Sequence, residues 1–426
     1  MQTTSKLIKW IQEENRKTAV EIKRISFEDC TGWLFDQSIH RPDDSFFSIR
    51  GAKIGDSEQP IIIQNEIGFL GIIAKWVGDE LHFLMQAKIE PGNINCVQIS
   101  PTIQATKSNF TQKHGGRKPM FLDYFLHPKN IIVDQLQSEQ SSRFLKKRNR
   151  NMIVLIDEEI PESNKFKWIS LSQIKKLMRY DNLVNMDTRT VISCLPLRFM
   201  DGNYRDAFFN NSLRFPDVMG EITAIYNYIN NHKMFDESLV KLCSLFDLSR
   251  WTFTGKEIIA NYDAAFKVCF FDIKIDGREV KQWCQPLFEA TTIATFGLVF
   301  CEDRGAYKFL VRAKPEIGCF DKIEIGPSVQ IDDPNHVNNE VENLFFELCK
   351  NKNLVMIDVL LSEEGGRFYH EQNKNVIVKS RTKFDVPEGY FWVSFGSLNI
   401  LTQVNNCLNI QLRNLLSLLE FEDEKN

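Results

Sequence analysis

The strongest constraint on this chain is that it repeats itself. Leu81–Gln104 (LHFLMQAKIEPGNINCVQISPTIQ) aligns without a gap with Tyr307–Gln330 (YKFLVRAKPEIGCFDKIEIGPSVQ), identical at 9 of 24 positions with an offset of 226. A second block, Asp134–Val154, matches Asp358–Val378 at 10 of 21 positions with an offset of 224. Trp168, Ser170, Asn185 and Arg189 recur as Trp392, Ser394, Asn409 and Arg413. The repeat runs from about Phe46 to Leu195 and again from about Phe270 to Leu419. A unit this long is no solenoid repeat, so each copy should own a core. Each segment ahead of a copy carries a tryptophan a variable distance upstream of the repeat, Trp33 and Trp251, which hints that they too are distant copies. The expectation is two modules, residues 1–200 and 201–426.

Composition fits that expectation and removes several function classes. The chain of 426 residues is 43% hydrophobic and 25% charged, with a net charge of −4. It is too long for one ordinary core, and its charge gives no pull toward nucleic acid or anionic membranes. Nowhere does an apolar stretch approach the length of a membrane span, and the N-terminal residues lack a signal-peptide core, so a cytoplasmic protein is expected. The ten cysteines show no CxxC pair and read as reduced thiols. The seven histidines form no metal-ligand cluster, and no metal site is expected.

Within a copy, strands and helices mix, which gives an α+β class. From Leu81 to Ile89 the residues alternate, with Leu81, Phe83, Met85, Ala87 and Ile89 on one face and His82, Leu84, Gln86, Lys88 and Glu90 on the other. Pro91-Gly92 reads as a turn. Val97–Gln104 reads as one further strand with a polar face, and the pair suggests a polar ligand floor. Ile131–Leu136 and Met152–Ile156 read as strands. Leu171–Met178, Leu408–Glu420, Glu221–Ile229 and Leu239–Phe246 read as helical.

QAKIEPGN (86–93), SPTIQATKSNFTQKHGG (100–116), DQLQSEQ (134–140), KKRNRNM (146–152) and NMDTR (185–189) together resemble the NDP-hexose 2,3-dehydratase family, over essentially the whole chain. The resemblance implies tandem Nudix-like modules, each a mixed sheet packed with helices, usually in a homodimer. It implies a dTDP-linked or similar 4-keto-6-deoxyhexose as substrate. The reaction would be loss of water across C2 and C3 to a 3,4-diketo-2,6-dideoxyhexose, with no nicotinamide or metal cofactor. The product would pass to a 3-ketoreductase. A non-catalytic nucleotide-sugar-binding protein on the same scaffold is the alternative. Metal-dependent diphosphate cleavage is disfavoured, because LSEEGGRF (361–368) lacks the acid-rich helix that such a reaction needs.

Elimination of this kind needs a base for the C3 proton, an acid for the C2 hydroxyl, donors for O4 and cations for two phosphates. The duplication sorts candidates, since residues in both copies serve the fold first and polar residues in one copy serve chemistry first. Lys88 and Glu90 recur as Lys314 and Glu316, and read as a strand-face ion pair or a shared binding pair with Glu90 as base. Gln104 also recurs. Lys107, Ser108 and Thr111 lack counterparts, and His114 beside two glycines suits acid–base work, with a plain surface loop as the ordinary alternative. Gln137 becomes Leu361, while Ser138 and Glu139 persist. The run Lys146–Arg150, with Arg148 and Arg150, reads as a diphosphate site in the first copy only. Asp187 becomes Gln411, and its pairing with Arg189 reads as a helix anchor or a grip on the nucleotide base. Trp76 and Tyr124 are the stacking candidates for that base.

Overall fold

The computed structural model describes residues 3–107, 118–199, 206–276, 280–333 and 336–420. Each copy builds a mixed seven-stranded sheet of the same topology. In the first, Asn130–Ser138, Arg148–Leu155, Gly68–Val77, Glu80–Ile89 and Phe166–Ser170 lie side by side. In the second the order is Val355–Ser362, Gln372–Lys379, Thr295–Asp303, Ala306–Pro315 and Tyr390–Val393. One pair in each sheet is parallel, Arg148–Leu155 on Gly68–Val77 and Gln372–Lys379 on Thr295–Asp303. Even the irregularities match, with register shifts at Ile131/Val133 and Val355/Ile357. The α+β class and the two similar halves therefore hold.

Alternation along Glu80–Ile89 splits its side chains as expected. Phe83 and Met85 enter the main core, and Leu84 enters a second core on the opposite face. The expected strand Val97–Gln104 is instead two, Val97–Ser100 on Glu80–Ile89 and Ile103–Ala105 on Gly68–Val77. Pro101 has no N–H to give a ladder, and the chain changes partners there. Leu171–Leu177 is a helix closed by a capping box of Ser170 and Gln173. Leu239–Phe246 is not helical. Lys241–Cys243 is a strand, followed by a short 3-10 turn at Leu245–Asp247.

That strand exposes the main architectural feature, a reciprocal exchange between halves. Lys241–Cys243, ahead of the second copy, pairs with Ser48–Ile54 of the first. Val20–Ile25, ahead of the first copy, pairs with Phe266–Ile275 of the second. The leader tryptophans obey the same rule. Trp33 Nε1 donates to Cys284 O at 2.7 Å, and Trp251 Nε1 donates to Glu58 O at 3.0 Å. The leaders are therefore equivalent parts of one pseudo-twofold arrangement.

Two turns lock the halves. Gly92 N donates to Gly365 O at 2.7 Å, and His370 N donates to Gly92 O at 2.7 Å. In mirror fashion Gly318 N donates to Ser141 O, and Lys146 N donates to Gly318 O, both at 2.8 Å. A Cβ on Gly92 would lie 1.7 Å from Phe368 O, and one on Gly318 would lie 1.8 Å from Phe144 O. Glycine is needed in both turns for close backbone approach, and neither residue has a positive φ. Arg189 and Arg413, both fully buried, reach across in the same way to Ser362 O and Ser138 O. The main core runs through both halves.

Two stability predictions follow from these contacts. Gly318→Ala should destabilise the fold by about 3 kcal/mol or more, because backbone must move to admit the methyl group; chemical denaturation reads this directly. The second concerns Glu324, which stands where the first copy has Gln98. It accepts from Ser138 Oγ at 2.9 Å, and burial pushes its carboxyl up to about 8 from an ordinary 4.5. The folded chain thus holds a proton that the unfolded chain releases near pH 4.5, and this stabilisation is lost as pH rises toward 8. Glu324→Gln should gain stability relative to the parent across that window, by up to about 1.4 kcal/mol per pH unit, in melting curves taken from pH 5 to 8.

Candidate active site

A cavity of about 1190 Å³ opens between the first copy's sheet and the second copy's Glu364–Arg367 turn. Its centre is Glu90, which follows the end of Glu80–Ile89 and is 2% exposed. Lys88 Nζ donates to Glu90 Oε1 at 2.9 Å, and Gln104 Nε2 donates to the same oxygen at 2.6 Å. Gly365 N, from the other half, donates to Oε2 at 3.1 Å, and Asn93 Nδ2 does so at 3.3 Å. Burial opposes the charge, but Lys88, Gln104 and the Gly365 amide outweigh it and hold the carboxyl below its ordinary value.

Three further buried carboxyls share the cavity with the exposed Asp43 and behave oppositely to Glu90. Asp187, 2% exposed, is pushed well above the usual carboxylate range by burial and by Glu139, Glu90 and Glu364, with Lys88 opposing. Its Oδ1 has no hydrogen-bond partner. Burial also raises Glu139, against Lys147 and Arg413; Asn149 Nδ2 donates to Glu139 Oε1, and Oε2 is unpartnered. Glu364 comes from the second copy and is pushed up to about 7 by burial and by Glu90 and Glu139, against Arg367. Acids with such separated proton affinities can divide acid and base roles.

Cations complete the lining. Lys147 donates to Glu66 O and is 6% exposed. Arg367 donates to Gln64 Oε1 at 3.0 Å and lies over the rings of Phe46 and Phe47. Arg41 and Lys118 also face the space, as do the aromatic side chains Phe46, Phe69 and Trp283. Phe46 holds a positive φ of 81°, an uncommon conformation for a bulky residue at a cavity wall.

The NDP-hexose 2,3-dehydratase family description matches this chain twice, over residues 4–195 and 222–419. The chain belongs to the NDP-hexose 2,3-dehydratase family. It is similar to three enzymes named dTDP-4-dehydro-6-deoxy-alpha-D-glucopyranose 2,3-dehydratase. That of Amycolatopsis orientalis is 35% identical, with 96% of this chain and 88% of the relative covered. That of Saccharopolyspora spinosa is 35% identical, covering 96% and 90%. That of Streptomyces violaceoruber is 34% identical, covering 96% and 95%.

In this NDP-hexose 2,3-dehydratase family member, the sequence candidates divide. Lys88, Glu90, Gln104 and Glu139 all line the cavity. Lys107 is exposed, one residue beyond the lining residue Thr106. Ser108, Thr111 and His114 lie outside the described residues. Gln137 is remote from the cavity; it is fully buried and donates to Thr402 O at 2.7 Å, joining the halves. Its polarity serves the fold, where Leu361 serves the other copy.

The basic run also separates. Lys147 and Asn149 face the cavity, whereas Arg148 lies over the Phe320 ring and Arg150 makes a bidentate pair with Asp134 at 2.6 Å. Strand alternation from Arg148 to Leu155 is the cause, and reading the run by period two would have found it. Trp76 and Tyr124 do not line the cavity; Trp76 stacks on Phe199. Asp187 and Arg189 are not partners. Asn185 caps their helix, Asp187 faces the cavity, and Arg189 bonds the carbonyls of Val184 and Ser362. Glu364, Arg367 and Trp283 were missed because nothing in the linear sequence says that the second copy walls the first copy's site.

Lys147 and Arg150 give the discriminating test. Lys147→Ala should weaken dTDP binding more than tenfold in calorimetry, and Arg150→Ala should change it less than twofold, because the Arg150 charge is already spent on Asp134.

Proposed function

We propose that the cavity binds a dTDP-linked 4-keto-6-deoxyhexose and eliminates water across C2 and C3, giving the 3,4-diketo-2,6-dideoxyhexose of deoxysugar biosynthesis. The observation that carries this reading is the meeting in one cavity of a carboxylate clamped in its charged form with buried carboxyls whose proton affinity is raised. The C3 proton is acidified by the neighbouring ketone, and the C2 hydroxyl leaves readily only if it is protonated. The reaction therefore asks for carboxyls in both states at once. A binding protein has no use for buried neutral acids beside a sugar, which favours a hydro-lyase over the non-catalytic alternative.

Further roles rest on this reading. Lys147, Lys118 and Arg41 are suited to the diphosphate, and Phe46 or Trp283 to the flat base. Glu90, the carboxyl held in its charged form, is the candidate for taking the C3 proton. Lys107 keeps the sequence-based proposal of a phosphate or O4 donor, and His114 that of an acid or base. Each half is proposed to be a Nudix-like module, with residues 1–200 carrying the working site and the second copy the degenerate one. At the second copy's equivalent positions Glu371 and Gln411 stand for Lys147 and Asp187, and the first copy has Gln140 where the second has Glu364. A homodimer, a cytoplasmic location and a downstream 3-ketoreductase belong to the same proposal. No helix among the described residues is long and apolar enough to cross a membrane.

Incubation with dTDP-4-keto-6-deoxyglucose in deuterium oxide and excess chelator tests the reading. The expected outcome is loss of one water with solvent deuterium at C2 of the product, followed by mass spectrometry and NMR. Tight binding without turnover would instead support the binder, and release of a nucleoside monophosphate would support a hydrolase.

A further inference from the structure

The two copies offer the same scaffold with one proton removed. In the first, Gln104 Nε2 donates to Glu90 and its Oε1 accepts from Asn185 Nδ2 at 3.4 Å. Asn185 in turn caps Met186–Ser193 by accepting from Thr188 N at 2.9 Å. In the second, Gln330 Nε2 donates to Glu316 at 2.8 Å, Asn409 Nδ2 donates to Gln330 Oε1 at 3.0 Å, and Asn409 caps Ile410–Leu418. Lys88 and Lys314 stand at equivalent places, and Arg189 and Arg413 brace the two helices alike. Against this shared frame, the second residue of the helix is Asp187 in one copy and Gln411 in the other. An amide at that place cannot give up a proton as an acid does.

The remaining buried carboxyls of the cavity each accept at least one hydrogen bond, although Glu139 Oε2 is unpartnered. Glu90 is held by four donors, Glu139 by Asn149, and Glu364 by the Gly366 amide at 3.0 Å. Asp187 lines the cavity and is nearly wholly buried, with Oδ1 unpartnered. The equivalent Gln411 Oε1 is unpartnered too, so what sets Asp187 apart is an acid on the cavity wall.

We propose that Asp187 is the general acid that protonates the departing C2 hydroxyl. The proposal rests on the dehydratase reading above and assigns one step of it. A cavity base takes the C3 proton, and the electron pair of that bond passes into the C3–C4 enolate. The enolate collapses to reform the C4 ketone and a C2=C3 double bond. The C2–O bond breaks with its electrons on oxygen, the Asp187 proton joins that oxygen, and water leaves. The enol at C3 then loses its hydroxyl proton and takes one at C2. C3 is oxidised and C2 is reduced, so no external oxidant is required. The base's proton and solvent restore Asp187. Its neighbours Glu139, Glu90 and Glu364 favour the protonated form from which the step begins.

The test uses the full chain with two substrates, dTDP-4-keto-6-deoxyglucose and its analogue with fluorine in place of the C2 hydroxyl. Fluoride leaves without a proton donor. Asp187→Asn should lose 10²- to 10⁴-fold in dehydration, roughly the worth of a positioned acid. It should still exchange the C3 hydrogen with deuterium oxide, and it should eliminate fluoride within about tenfold of the parent rate. Asp187→Gln, which copies the residue that the second copy already accommodates, should behave alike. A melting curve and dTDP titration confirm that each variant is folded and binds. Equal losses on both substrates, loss of C3 exchange, or unchanged dehydration would overturn the assignment. A parent enzyme that neither exchanges C3 nor releases water would overturn the dehydratase reading itself, and the assignment with it.

Discussion

Gly92 and Gly318 bring bare backbone against the opposite half, and the site depends on that contact. The Gly365 amide reaches Glu90 only because the Glu364–Arg367 turn is drawn down onto the Pro91-Gly92 turn. The same docking delivers Glu364 and Arg367 to the cavity wall. Packing at such distances leaves no room for a side chain, so the geometry of the carboxyl cluster is fixed by van der Waals contact between main chains.

Crowding four acids into that space then decides their protonation. Coulomb repulsion in a poorly hydrated cavity allows few of them to ionise together. The cations settle which ones do. Lys88 sits directly on Glu90 and favours its charge, whereas Asp187 Oδ1 has no donor, and burial and the neighbouring acids favour its protonated form. Acid and base character thus arise from unequal access to donors among chemically similar groups.

Much of this was legible in the sequence. The duplication predicted two alike halves, and alternation in Leu81–Ile89 placed Lys88 on the polar face with Glu90 just beyond. The filter that separated shared from unshared residues worked only in part. It drew attention to Gln137, whose amide bonds a carbonyl of the other half, because a buried interface between unlike copies needs polar matches of its own. It undervalued Glu90 and Gln104, which both copies keep because the clamp is part of the scaffold. It could not find Glu364, since contacts between residues more than 200 positions apart leave no periodic trace. Arg148 and Arg150 were misplaced by treating a charge run as one patch when a strand sends its neighbours to opposite sides.

The strand exchange has a consequence for how such a site can change. A symmetric pair of identical repeats would carry every substitution twice, once on each wall of both cavities. Joining the repeats in one chain breaks that bookkeeping. Glu364 can be acidic in the cavity wall while Gln140, its counterpart, is an amide in the equivalent turn of the other half. Covalent linkage therefore gives each cavity two independently adjustable halves, and a chain of this kind can specialise one of them without unmaking the frame that both share.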